Sequence, residues 1–153
     1  MRLFSFLLAL LVLSAATTGC KPKPKVSTAD TAAAESLLEA GLLKARQGQL
    51  EAAIADYNAA ILLDPSSANA YATRAGALGI LQDYTGAIAD YDQALEIDPN
   101  LAAAYGGRGL ARYRNGDPSG GIADLERAAD LFQNQGQLQA YQQTLATLER
   151  LKS

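Results

Sequence analysis

Histidine and tryptophan are absent from the 153-residue chain, and cysteine and methionine occur once each. Without His, every catalytic scheme built on imidazole is excluded, the Ser-His-Asp triad and the Cys-His dyad included. The lone Cys20 cannot form an intramolecular disulfide, nor by itself a thiolate zinc site. Positive charge is in short supply too: the chain carries 13 Lys and Arg against 16 Asp and Glu, a net −3. Nucleic acid is therefore not an expected partner, because phosphate binding needs a basic surface. The length suits one ordinary domain. These absences leave a small acidic protein for which no metal and no cofactor is expected.

What is present begins with an address. Arg2 precedes an apolar run over residues 3–16 that only Ser5 and Ser14 interrupt, and Ala15, Ala16, Thr17, Thr18 and Gly19 follow. A charged start, an apolar core and a small-residue end are the order of a secretory signal peptide. As a helix, the run of about 14 residues would be about 21 Å long, short of the roughly 20 residues that cross a bilayer. Small residues directly before Cys20 resemble the lipobox of bacterial lipoproteins, although Thr17 stands where that family favours Leu. The resemblance implies a diacylglyceryl group on the Cys20 thiol, cleavage just before it, and acylation of its new amine. Two acyl signals are what stable membrane anchoring requires. Two other outcomes stay open on the residues alone. One is ordinary signal-peptidase cleavage near residues 15–19, which would release a secreted or soluble periplasmic protein. The other is an uncleaved anchor.

Lys21-Pro22-Lys23-Pro24-Lys25 follows at once, and alternating Pro keeps a chain extended. Residues 20–30 read as a lipidated Cys and linker, either a plain spacer or a basic segment on anionic headgroups at about 1 kcal/mol per Lys. Lys21 is not the Asp that retains lipoproteins at the inner membrane of enteric bacteria. That points to the outer membrane, facing the periplasm. Arg2, Lys21, Lys23 and Lys25 precede residue 26 and no acid does, so residues 26–153 are at net −7.

A period of 34 organises the rest. It links Leu37, Tyr71 and Tyr105; Gly41, Ala75 and Gly109; Ala53, Ala87 and Gly121; Tyr57, Tyr91 and Leu125; and Ala60, Ala94 and Ala128. Ile-Ala-Asp recurs at residues 54–56, 88–90 and 122–124, and Asp64-Pro65 returns as Asp98-Pro99. These positions resemble the tetratricopeptide repeat. The match covers 34–67, 68–101 and 102–135, within a domain spanning 31–153, and the third copy is the poorest, with Gly121 for Ala and Gln133 for Pro. The resemblance implies an all-α, right-handed solenoid of three helical hairpins. Small residues let paired helices approach, and large ones such as Leu37 and Tyr57 fill the groove between successive pairs. Pro65 and Pro99 end second helices, and Asp117-Pro118 starts one as N-cap and first helical residue. Leu138, Tyr141, Leu145, Leu148 and Leu151, spaced by three or four, predict an amphipathic capping helix over 136–151.

No motif in the chain carries chemistry, and no enzyme is expected. Asp90 and Asp92 sit two apart on one helix and cannot face each other. The segment from Asp98 lacks the glycine and bidentate Glu of a calcium loop. Gly106-Gly107-Arg108-Gly109 lacks the Lys-Ser/Thr of a phosphate loop. Arg74 and Arg108 recur with Asp56, Asp90 and Asp124, as ion pairs between helices or as a charged ladder for a peptide. Gly106, Gly107 and Gly109 each cost a helix about 0.8–1.0 kcal/mol relative to Ala. They mark either a soft third repeat or a place where a partner backbone comes close.

In the tetratricopeptide family the first helices of successive repeats line a concave groove that holds a peptide. Carried over, the groove positions are Glu35, Leu38, Glu39, Leu42, Ala45 and Arg46 in the first repeat. In the second they are Asn69, Ala72, Thr73, Gly76, Gly79 and Ile80, and in the third Ala103, Gly106, Gly107, Leu110, Tyr113 and Arg114. The carboxylate clamp of some relatives would need Lys, Asn and Arg where this chain has Leu38, Leu42, Thr73, Ala103 and Gly107. The expected role is protein–protein interaction by a membrane-tethered adaptor or scaffold of the cell envelope, with a protein or peptide partner. An accessory lipoprotein of a secretion, pilus or outer-membrane assembly machine, and a self-associating structural protein, are the alternatives.

Overall fold

The structure, a computed structural model, describes residues 26–153. The signal peptide, Cys20 and the Lys/Pro stretch up to residue 25 lie outside the described residues. Among the described residues there are seven helices and no strand: α1 (Thr28–Arg46), α2 (Leu50–Leu63), α3 (Ala68–Ile80), α4 (Tyr84–Ile97), α5 (Ala102–Arg114), α6 (Pro118–Asn134) and α7 (Leu138–Lys152). Helices α1 and α2, α3 and α4, and α5 and α6 form hairpins. Successive hairpins meet where α2 packs on α3 and α4 on α5, and α7 closes the stack against α6. This is the helical-hairpin solenoid the 34-residue period implies.

Local chemistry sets the helix ends. The Ser27 hydroxyl accepts from the Asp30 N–H at 3.1 Å while the Ser27 N–H donates to the Asp30 carboxylate at 3.2 Å, a reciprocal capping box. That cap starts α1 at Thr28, so Thr28–Asp30 are helical. Helices α2 and α4 stop in front of Asp64-Pro65 and Asp98-Pro99, each after 14 residues. Gln133 replaces the proline in the third hairpin, and α6 accordingly runs on to 17 residues. Asp117 caps α6, its side chain accepting from the Gly120 N–H at 2.9 Å, with Pro118 at the first helical position.

The turns inside the hairpins repeat as faithfully as the helices. Gly48, Gln82 and Gly116, 34 residues apart, all take positive φ, at 79°, 65° and 93°. The following N–H groups, of Gln49, Asp83 and Asp117, each donate back to the carbonyl five residues earlier, at Lys44, Leu78 and Arg112. This is the left-handed helix ending that glycine adopts without strain. Only the middle hairpin makes it with a side-chain-bearing residue.

The core is built of small residues, so the helices lie close together. Ala53, Ala75, Ala87, Ala94, Ala104 and Ala128 are fully buried. Where even alanine is too large, glycine stands: a methyl at Gly41 would overlap the Tyr57 ring, and one at Gly109 would come within 2.7 Å of the Gly121 carbonyl. Gly109 and Gly121 thus mark the contact of α5 with α6, a specific demand of packing. Tyr57, the largest fully buried side chain, fills the space beside Gly41.

Candidate functional site

The helices α1, α3 and α5 share one face of the stack, and that face is hollowed. A cavity of about 390 Å³ is lined by Leu38 and Leu42 of α1, Asn69, Ala72 and Thr73 of α3, and Ala103 of α5, with Leu101 and Tyr91. A second, of about 170 Å³, lies between α3 and α5 among Gly76, Gly79, Ile80, Gly107, Leu110 and Arg114, with Tyr84, Tyr91 and Ala111. A third, also about 170 Å³, is bounded by Gly106 and Leu110 of α5, Leu125 and Phe132 of α6, and Ala140, Gln143, Thr144 and Thr147 of α7. Tyr91 borders the first two cavities and Leu110 the last two, so each hollow of this trough adjoins the next.

The structure therefore brings together Leu38, Leu42, Asn69, Ala72, Thr73, Gly76, Gly79, Ile80, Ala103, Gly106, Gly107, Leu110 and Arg114 of the positions singled out in the sequence. Glu35, Glu39 and Arg46 are exposed on α1 and border none of these cavities. Ala45 packs against the cluster of Ala53, Tyr57 and Ala77. Tyr113 is drawn elsewhere: half-buried, its hydroxyl donates to the Leu151 carbonyl of α7 at 3.4 Å, and its backbone lies against Gly121. Tyr84, Tyr91, Leu101 and the α7 residues line the trough without having been singled out. Tyr91 carried a signal as the repeat counterpart of Tyr57, but only the packing shows that it faces Gly76 and Gly107 in the trough.

The charged residues that follow the repeat lie between helices, away from the trough. Arg74 of α3 donates from Nε and Nη2 to the two carboxylate oxygens of Asp90 in α4, both at 2.6 Å, and from Nη1 to Asn58 of α2 at 2.7 Å. Arg108 of α5 repeats the geometry one hairpin on, donating to Asp124 of α6 at 2.8 and 2.7 Å and to Asp92 of α4. Each arginine thus reaches the carboxylate 16 residues ahead and a polar group 16 residues behind, clamping one hairpin to the previous one. Asp90 and Asp92, two apart, face different arginines, as helical geometry requires. Arg112 adds a third donor to Asp124 at 2.9 Å. These bidentate contacts hold both guanidinium groups even further above the ordinary range, with carboxylate hydrogen bonding the main cause. Each guanidinium also lies over a tyrosine of its own helix, Arg74 over Tyr71 and Arg108 over Tyr105, at 5.6 and 5.3 Å from the ring centroids. Of the two readings of the Arg and Asp recurrence, the ion pair between helices is what the geometry displays. Asp56 has no arginine facing it and pairs instead with Lys44 at 2.7 Å.

Among the described residues no group of three or more His, Cys, Asp or Glu side chains could hold a metal ion. No helix among them is long and apolar enough to cross a membrane.

The model of the TPR repeat matches residues 41–79 and 77–116. No curated protein matches the chain in sequence. Among solved structures, the second TPR of Spaghetti (RPAP3) bound to an HSP90 peptide is similar at 30% identity and a TM-score of 0.66, covering 67% of this chain and 95% of that one. The second TPR domain of human RPAP3, in complex with an HSP70 peptide, aligns at 26% identity and a TM-score of 0.70, over 82% of this chain and 97% of its own. The Yersinia enterocolitica type III secretion translocator chaperone SycD, at 16% identity and a TM-score of 0.76 over 82% of this chain and 96% of that one, shares the fold. With the repeat matched in sequence and its hairpins reproduced in the stack, the chain belongs to the tetratricopeptide-repeat family, a fold of protein-interaction modules.

Proposed function

We propose that the chain is a membrane-tethered, non-catalytic adaptor of the bacterial cell envelope that holds a peptide segment of a partner protein in the trough of α1, α3 and α5. The trough carries the reading: two adjoining hollows, lined mostly by small and apolar side chains, lie across α1, α3 and α5 and a third continues between α5 and α7, while the recurring charges are used up in packing. Peptide binding by the RPAP3 domains, similar to this chain at 26% and 30% identity, supports it. The tether rests on residues 1–20, whose order resembles a lipoprotein signal ending at Cys20. Lipid on Cys20 and a Lys/Pro spacer would hold the trough clear of the membrane, with Lys21 favouring the outer one.

Two measurements on the full-length chain in a bacterial host test the two halves. Labelled palmitate is expected to enter the wild-type protein and hold it in the membrane fraction, and Cys20→Ser is expected to lose both. An unlabelled, soluble wild-type protein would remove the tether. A photocrosslinker at Leu42 or Leu110 should capture one stoichiometric partner that the same group at Leu62, 83% exposed on α2, does not. Concentration-dependent oligomers without a partner would instead establish a structural role.

A further inference from the structure

Tyr91 belongs to the outer helix α4, yet its phenol reaches the floor of the trough. The route is opened by two glycines: a methyl at Gly107 would overlap the phenol, and one at Gly76 would sit 3.7 Å from its hydroxyl. The residue is only 8% exposed and borders the first two hollows, and its hydroxyl makes no hydrogen bond with any described residue. The ring is buried but the hydroxyl itself is not sealed from solvent, so it is open to a ligand entering the hollow. Desolvation pushes the phenol above its ordinary range, so at neutral pH it keeps its proton and can donate. Beside it Ile80 and Leu110 form apolar walls, and both are exposed at the mouth. Arg114 also lines this hollow, exposed and without an ion pair among the described residues, unlike Arg74, Arg108 and Arg112.

We propose that the hollow between α3 and α5 is a subsite for an extended peptide bearing a large apolar residue next to a carboxylate. The apolar side chain enters between Ile80 and Leu110, the Tyr91 hydroxyl donates to a peptide carbonyl at the floor, and Arg114 pairs with the acid at the rim. Its volume of about 170 Å³ suits one side chain, not a helix. Charge points the same way: Arg114 borders this hollow unpaired, whereas Arg46, the exposed arginine of α1, borders none of the hollows and shares its helix with exposed Glu35 and Glu39. The subsite rests on the groove reading above.

The test uses the full chain in detergent and fluorescein-labelled octapeptides of Ala and Ser, with one position set to Ala, Leu or Phe and the next to Asp, Asn or Lys. By anisotropy, Leu-Asp or Phe-Asp should bind tightest. Tyr91→Phe should weaken that binding about fivefold, the worth of one hydrogen bond, with melting unchanged. Arg114→Gln should abolish the preference for Asp over Asn and keep that for Leu over Ala. Equal binding of all octapeptides, binding of none, or an unaffected Tyr91→Phe would overturn the subsite. A partner captured by the crosslinker at Leu42 equally well in wild type and Tyr91→Phe leaves the adaptor standing and removes only this inference.

Discussion

The first and second hairpins are written to one pattern 34 residues apart, and three positions make them behave differently. Tyr57 lies beside Gly41 of its own hairpin and is 1% exposed. Tyr91, its counterpart, has Ala75 in place of that glycine and reaches instead to Gly107 of the next hairpin. Asp56 meets a lysine that remains 38% exposed, whereas Asp90 accepts two hydrogen bonds from one edge of a guanidinium that is 22% exposed. The turn uses Gly48 in one and Gln82 in the other. Identical period and identical helix lengths in α2 and α4 do not make identical environments. Both rings are buried, and Tyr91 reaches the trough where Gly107 stands at the repeat position that Thr73 holds one hairpin earlier.

The charge difference gives the largest expected effect. Arg74→Leu leaves Asp90 buried and unpaired and should cost about 3 kcal/mol in denaturant unfolding. Lys44→Leu in the first hairpin should cost less than about 1 kcal/mol, because that pair is more exposed. Equal losses would erase the distinction, and loss of partner binding by Arg74→Leu at unchanged stability would restore the peptide-ladder reading. Next comes Gly41→Ala, which drives a methyl into the Tyr57 ring and should cost about 2 kcal/mol. Relief of that loss by Tyr57→Leu would confirm the clash as its cause.

The turn offers a gain. Gln82 holds a left-handed conformation that a side chain makes unfavourable by roughly 1 kcal/mol. Gln82→Gly should raise stability by about that amount, and Gly48→Gln should lower it similarly; a neutral result at both would show that the turn stores no strain. The smallest effect is on pH dependence. Burial raises both Tyr57 and Tyr91 above the ordinary tyrosine range near 10. Because the folded values lie above the unfolded ones, the contribution is complete below about pH 10 and is lost as pH climbs through the folded values. Unfolding midpoints should therefore decline above about pH 10, and Tyr91→Phe should flatten that decline. A decline identical in the variant would mean that Tyr91 titrates as it does in the unfolded chain.

Much of this was legible in advance because the signals are local or periodic. Pro65 and Pro99 end α2 and α4 by backbone sterics alone, and the missing proline at Gln133 lengthens α6 for the same reason. Ser27 and Asp30 start α1 through a capping box, a signal written within four residues. The glycines of the third repeat left two readings open, a soft repeat or the close approach of a partner backbone, because propensity counts only what a helix loses. In the stack Gly109 admits Gly121 and Gly107 admits Tyr91, and neither contact is visible without the neighbouring helix.

By itself, then, the sequence determined the helices, their pairing into hairpins and the inner face, because a repeat that cannot bury its apolar side alone must stack on copies of itself. Only the tertiary structure decided which charges pair, that Tyr113 turns to α7, and that Tyr91 looks into the trough. Those outcomes depend on distances of an ångström or two between helices, which side-chain volumes in three successive hairpins set jointly.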